Sequence, residues 1–174
     1  MRIVIDAQVF KGFYLESVIA KPSGLTGSVI ELFRRLGGCD TAYVDEGSQI
    51  EQEWRDVVDK EWFERWFKDE LVSGRIVVIP VDRGQDCSSR LTSEFGFPVA
   101  ECRWYIRTAA TLVKSFAEAA ALISEDMDFH EPKAKACDAG RRHKLFIDGS
   151  GRMARNLKKR EKILVRCVAV HLAS

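Results

Sequence analysis

Apolar and polar residues along the chain follow two alternating patterns, one with the spacing of strands and one with the spacing of helices. Short runs rich in Val, Ile and Leu predict strands at 2–7, 41–44, 76–81, 122–124 and 163–170. Apolar residues at helical spacing predict helices at 25–36, 49–73, 98–120 and 151–162, the second with room for one break. Segments rich in glycine, proline or polar residues predict loops at 8–24, at 82–93 and after 128.

The order of these elements indicates the fold class. Strands that alternate with helices form a mostly parallel sheet covered on both faces, so we expect a three-layer α/β/α fold with about five strands. Ser48, with Glu51 three residues later, gives the capping-box pattern expected where a helix begins. Residues 1–174 contain no internal repeat, and their length suits a single domain with its own core.

Composition narrows the class of protein further. The chain is 46% hydrophobic and 30% charged, which is typical of a globular protein. No apolar run approaches the roughly 20 residues that span a bilayer, and Met1 and Arg2 lead directly into a strand. We therefore expect a cytoplasmic protein with no signal peptide and no membrane contact. The cysteines are scattered without a CxxC pair, which favours reduced thiols over zinc or disulfides: Cys39, Cys87, Cys102, Cys137 and Cys167.

The net charge of +1 conceals a basic segment near the end of the sequence. Residues 141–162 contain nine Lys and Arg residues against two acids, a local balance of +7, and the rest of the chain sums to −6. Such a segment is either a solvated helix face or a contact for a polyanionic partner. Charge alone does not choose between these two.

Carboxylates stand at the ends of two predicted strands. Asp6 closes the first strand and Asp126 follows the fourth. Ligands of open α/β sheets bind outside the carboxyl ends of the strands, so the two side chains converge if the strands are neighbours. Clustered carboxylates repel one another unless a hard cation such as Mg²⁺ or Mn²⁺ binds between them. A metal-dependent phosphoryl-transfer site is one reading, and acids that merely mark the protein surface are the other.

The same segments resemble a known family. IVIDAQVF at 3–10 resembles the opening of PIN-domain nucleases, and ALISEDMDF at 121–129 resembles a later signature of that family. Between them, VDEGSQIEQEW at 44–54 and FGFPVAECRWYIRTA at 95–109 are similar to the two segments that carry the family's other acids. The sequence departs from the family pattern at Gln8, which replaces Asn, at Glu101, which replaces Asp, and at Ser124, which replaces Thr.

The resemblance implies a cluster of acids that binds one or two Mg²⁺ or Mn²⁺ ions and hydrolyses nucleic acid. Asp6 and Asp126 would bind the metal directly, and Glu101 would bind it directly or through water. Glu53 would orient the attacking water, and Asp128 would be an auxiliary ligand. We expect Asp45, Glu46 and Glu51 to be surface acids, and His130 to be the only histidine with access to the site.

If the chain has an acidic catalytic centre, the basic segment at 141–162 is a candidate for binding the nucleic acid. A nucleic-acid backbone is repelled by carboxylates, so cations must hold it. We expect Arg142, Lys144, Arg152, Arg155, Lys158 and Lys159 to bind the substrate, with RNA favoured over DNA by the resemblance. The same resemblance implies a homodimer, and in a toxin the basic segment would be covered by an acidic antitoxin. The helical spacing of Trp54, Trp62 and Trp66 favours core or interface over base stacking.

Two further classes of function stay open. One is a binding module on a PIN-like fold that has lost catalysis, which the substitution at Glu101 allows. The other is a receiver-like phosphotransfer domain, which would need an acceptor Asp after a central strand and a Lys after the last strand. The strand ends at Val81-Asp82 and Val168–Val170 do not supply that set.

Overall fold

A computed structural model describes residues 1–81, 96–97 and 103–174. Its sheet has five strands, all parallel: β1 (Arg2–Ile5), β2 (Thr41–Asp45), β3 (Ile76–Ile79), β4 (Ala120–Ile123) and β5 (Ile163–Arg166). Helices alternate with these strands in a three-layer α/β/α arrangement, which confirms the predicted fold class.

The helices of the described residues are α1 (Ala7–Ser17), α2 (Val29–Arg34), α3 (Gln49–Asp56), α4 (Lys60–Val72), α5 (Arg103–Phe116), α6 (Met127–His130), α7 (Ala139–Asp148), α8 (Arg152–Glu161) and α9 (Val168–Leu172), with a 3₁₀ turn at Pro132–Ala134. None of them has the length and apolar character needed to cross a membrane. The predicted loop at 82–93, the predicted start of a helix at Pro98, and residues Cys87, Glu101 and Cys102 lie outside the described residues.

The strand order β3-β2-β1-β4-β5 places the first strand in the middle of the sheet. Ile3, Val4 and Ile5 pair with Ala121, Leu122 and Ile123, so β1 and β4 end at the same level. The chain winds outward from β1 in one direction and from β4 in the other. A crevice therefore opens between the carboxyl ends of these two strands, where open α/β sheets bind ligands.

Two segments predicted as loops are helices. In α1, Val9 and Phe10 are fully buried, and Gly12 lets Leu25 approach so closely that an added Cβ would lie 2.5 Å from its Cδ1 atom. The helix α7 begins at Asp138, whose side chain caps the N–H of Arg141. These helices were missed because glycine and charged residues hide a short apolar stripe.

Several element boundaries also differ from the prediction. The last strand stops at Arg166 instead of 170, because Val168–Leu172 turns into α9. The predicted helix at 98–120 ends at Phe116, where the next residue, Ala117, has a positive φ of 57°. The predicted helix at 25–36 is the shorter α2, and the predicted break in 49–73 separates α3 from α4.

The N-terminus of α3 is capped differently from the prediction. Ser48 is in the left-handed region with φ 57° and its side chain makes no cap hydrogen bond. Asp45 takes that role instead, since its carboxylate accepts from the N–H groups of Gln49 at 3.0 Å and Ile50 at 2.8 Å. Asp45 is only 2% exposed, so the prediction of a surface acid there was wrong.

The aromatic residues of α3 and α4 form a core cluster with α1, which confirms the core interpretation of the tryptophan stripe. Trp54 is fully buried and stacks on Phe10 with ring centroids 4.7 Å apart, while Trp62 and Trp66 are partly buried. The indole N–H of Trp54 donates to the carbonyl of Ile5 at 3.0 Å. This bond ties α3 to the end of β1 and thereby brings the neighbouring Glu53 toward Asp6.

Candidate functional site

Asp6 lies at the centre of the crevice between β1 and β4. It follows the last residue of β1 and is the N-cap of α1, with its Oδ1 atom 3.4 Å from the N–H of Gln8. A capping position needs extended backbone before a helix, and a strand that leads directly into a helix provides it. The carboxylate is only 5% exposed, so the fold holds an ionisable group inside the protein at this point.

Ser124 and Asp126 bring the end of β4 to Asp6. The hydroxyl of the fully buried Ser124 donates to Oδ2 of Asp6 at 2.6 Å. The same hydroxyl oxygen accepts from the N–H of Asp126 at 3.0 Å, and Asp126 in turn caps α6 by accepting from the N–H of Asp128 at 2.9 Å. The two strand-end aspartates are therefore joined through one serine, as their predicted convergence required.

The surroundings of Asp6 disfavour its charge. Burial raises the pKa of Asp6 to about 7, and the negative charges of Asp126 and Glu53 add to that effect, while hydrogen bonds from Ser124 and Gln8 oppose it. A carboxylate shifted this far near neutral pH is characteristic of functional sites. Asp6, Asp126 and Glu53 thus form a group of mutually repelling acids around one buried position.

Tyr105 connects Glu53 to this group. Its hydroxyl donates to Oε2 of Glu53 at 2.6 Å and accepts from the N–H of Ala7 at 3.2 Å. The ring is 1% exposed, and burial together with the charges of Asp6 and Glu53 raises the pKa of Tyr105. The residue is neutral at physiological pH and positions Glu53. Sequence analysis missed this role, although Tyr105 belongs to one of the segments that resemble the PIN family.

Asp128 has a cationic partner. It is 4% exposed, and the ammonium group of Lys135 lies 2.6 Å from its Oδ1 atom. Burial and the charge of Asp126 raise the pKa of Asp128, whereas Lys135 lowers it. Lys135, from the turn after the 3₁₀ segment, was not among the predicted site residues, because its approach depends on how that turn folds back onto α6.

A cavity of about 290 Å³ adjoins Asp126 on this side. Lys135 and Arg142 bring two positive charges to its wall, and the guanidinium of Arg142 donates to the carbonyl of Lys135 at 3.2 Å. Its other lining residues are Gln8, Glu125, Asp126 and Met127. An anionic group can therefore lie beside the acidic cluster without facing carboxylates alone.

Of the six cations predicted to bind nucleic acid, Arg142 lines this cavity. Arg152 is held by Glu131, which accepts from its N–H and guanidinium groups at 2.9 to 3.1 Å. The helix α8 then runs from Arg152 to Glu161 before β5, and Lys158 and Lys159, in its last turn, are not among the residues that line this cavity. Arg155 lines a separate cavity with Lys158, and Lys144 is exposed on α7.

A second cavity, of about 420 Å³, lies on the α3 side of the acidic cluster. It is lined by Ala7, Gln49, Gln52, Glu53, Asp56, Val57 and Trp104. Ala7 and Gln8 are consecutive residues, and each lines one of the two cavities. The cavities consequently flank the first turn of α1, directly after Asp6.

His130 and Glu125 support the site from behind. His130 is fully buried, its Nε2 atom lies 3.0 Å from the carbonyl oxygen of Ser124, and burial lowers its pKa. Glu125 accepts from the N–H of Thr26 at 2.9 Å and from that of Val168 at 3.2 Å, which anchors a loop and α9 at this edge. His130 therefore contacts the backbone of the site, and Glu125 is a structural residue that the sequence did not reveal.

Asp6, Asp126 and Glu53 supply carboxylate oxygens, the ligand type that Mg²⁺ and Mn²⁺ prefer. Among residues 1–81, 96–97 and 103–174, no group of three or more His, Cys, Asp or Glu side chains is arranged to hold a metal ion. Glu101, the remaining acid of the predicted set, lies outside that part of the chain. The pKa of Asp6 is raised mainly by burial and further by the charges of Asp126 and Glu53, and Mg²⁺ or Mn²⁺ bound by carboxylate oxygens would stabilise its ionised form.

Comparison of the chain with models of protein families, with curated proteins and with solved structures gives no match. The resemblance to PIN-domain nucleases consequently rests on the sequence segments themselves.

Proposed function

We propose that this chain is a metal-dependent endonuclease that hydrolyses phosphodiester bonds. The observation that carries the proposal is the buried Asp6, whose pKa is raised to about 7 by burial and by Asp126 and Glu53 at the crevice between β1 and β4. Carboxylates with strongly raised pKa values cluster at functional sites, where burial and like-charged neighbours are arranged around a ligand.

Asp6 and Asp126 would hold the cation, with Glu53 and Glu101 completing the set as the family resemblance implies. When bound, Mg²⁺ or Mn²⁺ supplies a water of lowered pKa and neutralises charge that develops on the phosphate. Two-metal and one-metal versions of such a site use the same carboxylates, so the number of ions is left to measurement.

The chain's own residues orient the reacting groups. Ser124 fixes one oxygen of Asp6 by a 2.6 Å hydrogen bond, and Tyr105 fixes Glu53 in the same way. Glu53, held by this bond, would orient the attacking water. Lys135 and Arg142, on the far side of Asp126, would bind a phosphate of the substrate and so position the scissile bond.

RNA is the substrate class that the resemblance favours, with DNA as the alternative. The same resemblance suggests a homodimer, and the scattered cysteines favour a cytoplasmic setting. A toxin of this kind would be inhibited by an antitoxin whose acidic segment covers Lys135 and Arg142, the cations nearest the site.

The proposal is tested by incubating a mixed RNA pool with the wild type in Mn²⁺ or in EDTA, beside Asp126→Asn and Glu46→Gln. Glu46 is an exposed acid directly after β2 and serves as the matched control. We expect cleavage in Mn²⁺ by the wild type and Glu46→Gln, and a loss of at least about 100-fold in Asp126→Asn. Cleavage that survives Asp126→Asn, or that persists in EDTA, would contradict the proposal.

A binding module without catalysis is the second candidate. It is favoured by one observation, that the described residues contain no group of three acids arranged around a metal position. A wild type that binds RNA but cleaves none in either Mn²⁺ or Mg²⁺ would support this candidate and rule out the first.

A further inference from the structure

The larger of the two cavities beside the acids is lined by an aromatic ring and by uncharged as well as acidic polar side chains. It combines the indole of Trp104, the side-chain amides of Gln49 and Gln52, and the carboxylates of Glu53 and Asp56. Its volume of about 420 Å³ lies within the range of small-molecule sites, roughly 300–1,000 Å³. An aromatic surface bordered by donors and acceptors is the combination that proteins use to bind an unpaired nucleobase.

Trp104 has the placement that stacking requires. It is partly buried against the core, which fixes the ring, and it also lines the cavity. The guanidinium carbon of Arg107 lies 5.1 Å from the ring centroid and further restricts its orientation. Trp62 and Trp66 instead stack on each other within the aromatic core, with ring centroids 5.6 Å apart. Trp66 also lines a cavity, but there it lies beside Phe13, Ile30 and Phe33, whereas amides and carboxylates border the cavity at Trp104.

The polar residues along α3 can read the edge of a base. The amide nitrogen of Gln52 donates to Oδ1 of Asp56 at 2.8 Å, so the two side chains form one surface with both donor and acceptor character. Gln49 is exposed one turn earlier on the same helix. Amide and carboxylate groups bind the amino and ring-nitrogen positions of bases through hydrogen bonds.

We propose that this cavity binds one unpaired nucleobase of a single-stranded nucleic acid, stacked on Trp104. The substrate class rests on the proposed function. Ala7 lines this cavity, and the next residue, Gln8, lines the cavity that contains Lys135 and Arg142. A nucleic-acid strand that crosses the first turn of α1 therefore places its base on the α3 side. Its phosphate then lies on the side of the two cations, with Asp6 and Asp126 between.

The experiment measures binding of a fluorescently labelled single-stranded RNA by anisotropy in EDTA, where cleavage does not interfere. Trp104→Ala is expected to raise Kd about tenfold, because it removes the aromatic ring on which one base stacks. Trp104→Phe keeps a ring and is expected to raise Kd less. Phe116→Ala is the matched control, since this exposed aromatic residue lies at the other end of α5, over Arg2, and is expected to bind as the wild type does.

An RNA strand with the same sugar-phosphate backbone but no bases distinguishes the affinity that comes from base stacking from the affinity that comes from phosphate binding. The wild type and Trp104→Ala are expected to bind this abasic strand equally. The proposal is overturned if Trp104→Ala binds RNA as tightly as the wild type, if it loses equal affinity for the abasic strand, or if the wild type binds no single strand. Melting curves confirm folding of each variant, and Trp104→Phe provides the test should Trp104→Ala be unfolded.

The subsite and the nuclease activity fail separately. If RNA binding depends on Trp104 but the protein cleaves no RNA, the base-binding site is supported and the nuclease activity is excluded. If the protein cleaves RNA with metal but Trp104→Ala binds RNA as the wild type does, the nuclease activity is supported and the base-binding site is excluded.

Discussion

Asp6 and Asp40 are two aspartates buried to nearly the same degree, with exposed fractions of 5% and 2%, yet their surroundings are opposite. Asp40 contacts the amino group of Met1 at 3.2 Å, Nε of Arg35 at 3.2 Å and Nε2 of His171 at 2.9 Å. Burial alone would raise the pKa of Asp40, but its bonds with His171 and the N-terminal amine outweigh burial and lower it. The pKa of Asp6 is instead raised to about 7.

The difference separates a carboxylate with a structural role from one that we propose to bind a metal ion. The charge of Asp40 is compensated within the fold, and its contacts join the N-terminal strand, α2 and the C-terminal helix α9. Burial is the largest cause of the raised pKa of Asp6, and the negative charges of Asp126 and Glu53 add to it, so the ionised form is costly without a ligand. Burial of an acid is therefore uninformative by itself, and the sign of its neighbours distinguishes the two roles.

The largest effect on stability is expected for Asp40→Asn. This change leaves Arg35, His171 and the N-terminal amine without their shared counter-charge, and removal of one partner from a buried ion pair costs about 3–5 kcal/mol. Urea unfolding at pH 7 measures the free energy of unfolding, with Asp6→Asn as the matched control, which is expected to lose none. A loss of unfolding free energy below about 1 kcal/mol for Asp40→Asn would contradict the structural role assigned to Asp40.

The next effect is a pH dependence that belongs to Asp6 alone. Its folded-state pKa of about 7 exceeds the ordinary value of 3.8, so the folded state binds more protons between these pH values. Asp6 therefore adds stability to the wild type as the pH falls below 7, by up to about 1.4 kcal/mol per pH unit. Asp6→Asn lacks this gain.

The measurement is urea unfolding of both proteins in EDTA at pH 5, 6, 7 and 8. The difference in unfolding free energy, Asp6→Asn minus wild type, is expected to rise by about 2 kcal/mol from pH 5 to pH 7 and then to level off. Titration of His130 and His171 affects both proteins and largely cancels in the difference. A difference that does not change with pH would mean that Asp6 titrates as an exposed aspartate does.

Much of the fold was predictable from local pattern. Runs of β-branched residues predicted all five strands, and a parallel sheet brings the carboxyl ends of neighbouring strands together, so Asp6 and Asp126 could be paired before any coordinates. The helix α1 could not be predicted in the same way, because it is stabilised by the packing of Phe10 against Trp54. Asp45 displaced Ser48 as the cap of α3 for a similar reason, since tertiary structure decides which acceptor reaches the free N–H groups.

The basic segment shows the limit of charge patterning most clearly. From the sequence, the cations of this segment were predicted to form one binding surface. In the structure, Arg142 lines the cavity beside Asp126, whereas Lys158 and Lys159 lie on α8. Arg152 is bound by Glu131. Lys135 lies outside the segment and yet contacts Asp128. Which cations serve the acidic site depends on the path of the chain through α7 and α8, and no local pattern records that path.

A smaller effect is expected from the cations around the site. Lys135→Gln and Arg142→Gln should each raise the Kd for single-stranded RNA by about three- to tenfold at low salt and reduce its salt dependence, because each removes one phosphate contact. Lys158→Gln and Lys159→Gln, on α8 and not among the residues that line either cavity beside the acids, should leave Kd within about twofold. Equal losses of affinity in all four variants would show that the whole basic segment binds the RNA strand. That result would contradict the expected difference between these two pairs of cations.

The most direct measurement for the account as a whole is the melting temperature with and without millimolar Mn²⁺, for the wild type, Asp6→Asn, Asp126→Asn and Asp40→Asn. A ligand that binds only the folded state stabilises it, and at saturating Mn²⁺ the wild type is expected to melt about 5 °C higher. Asp40→Asn should melt lower yet keep that rise, whereas Asp6→Asn and Asp126→Asn should lose it. A wild type that shows no rise, or an Asp6→Asn variant that shows the full one, would contradict the assignment of Asp6 and Asp126 as the metal-binding acids.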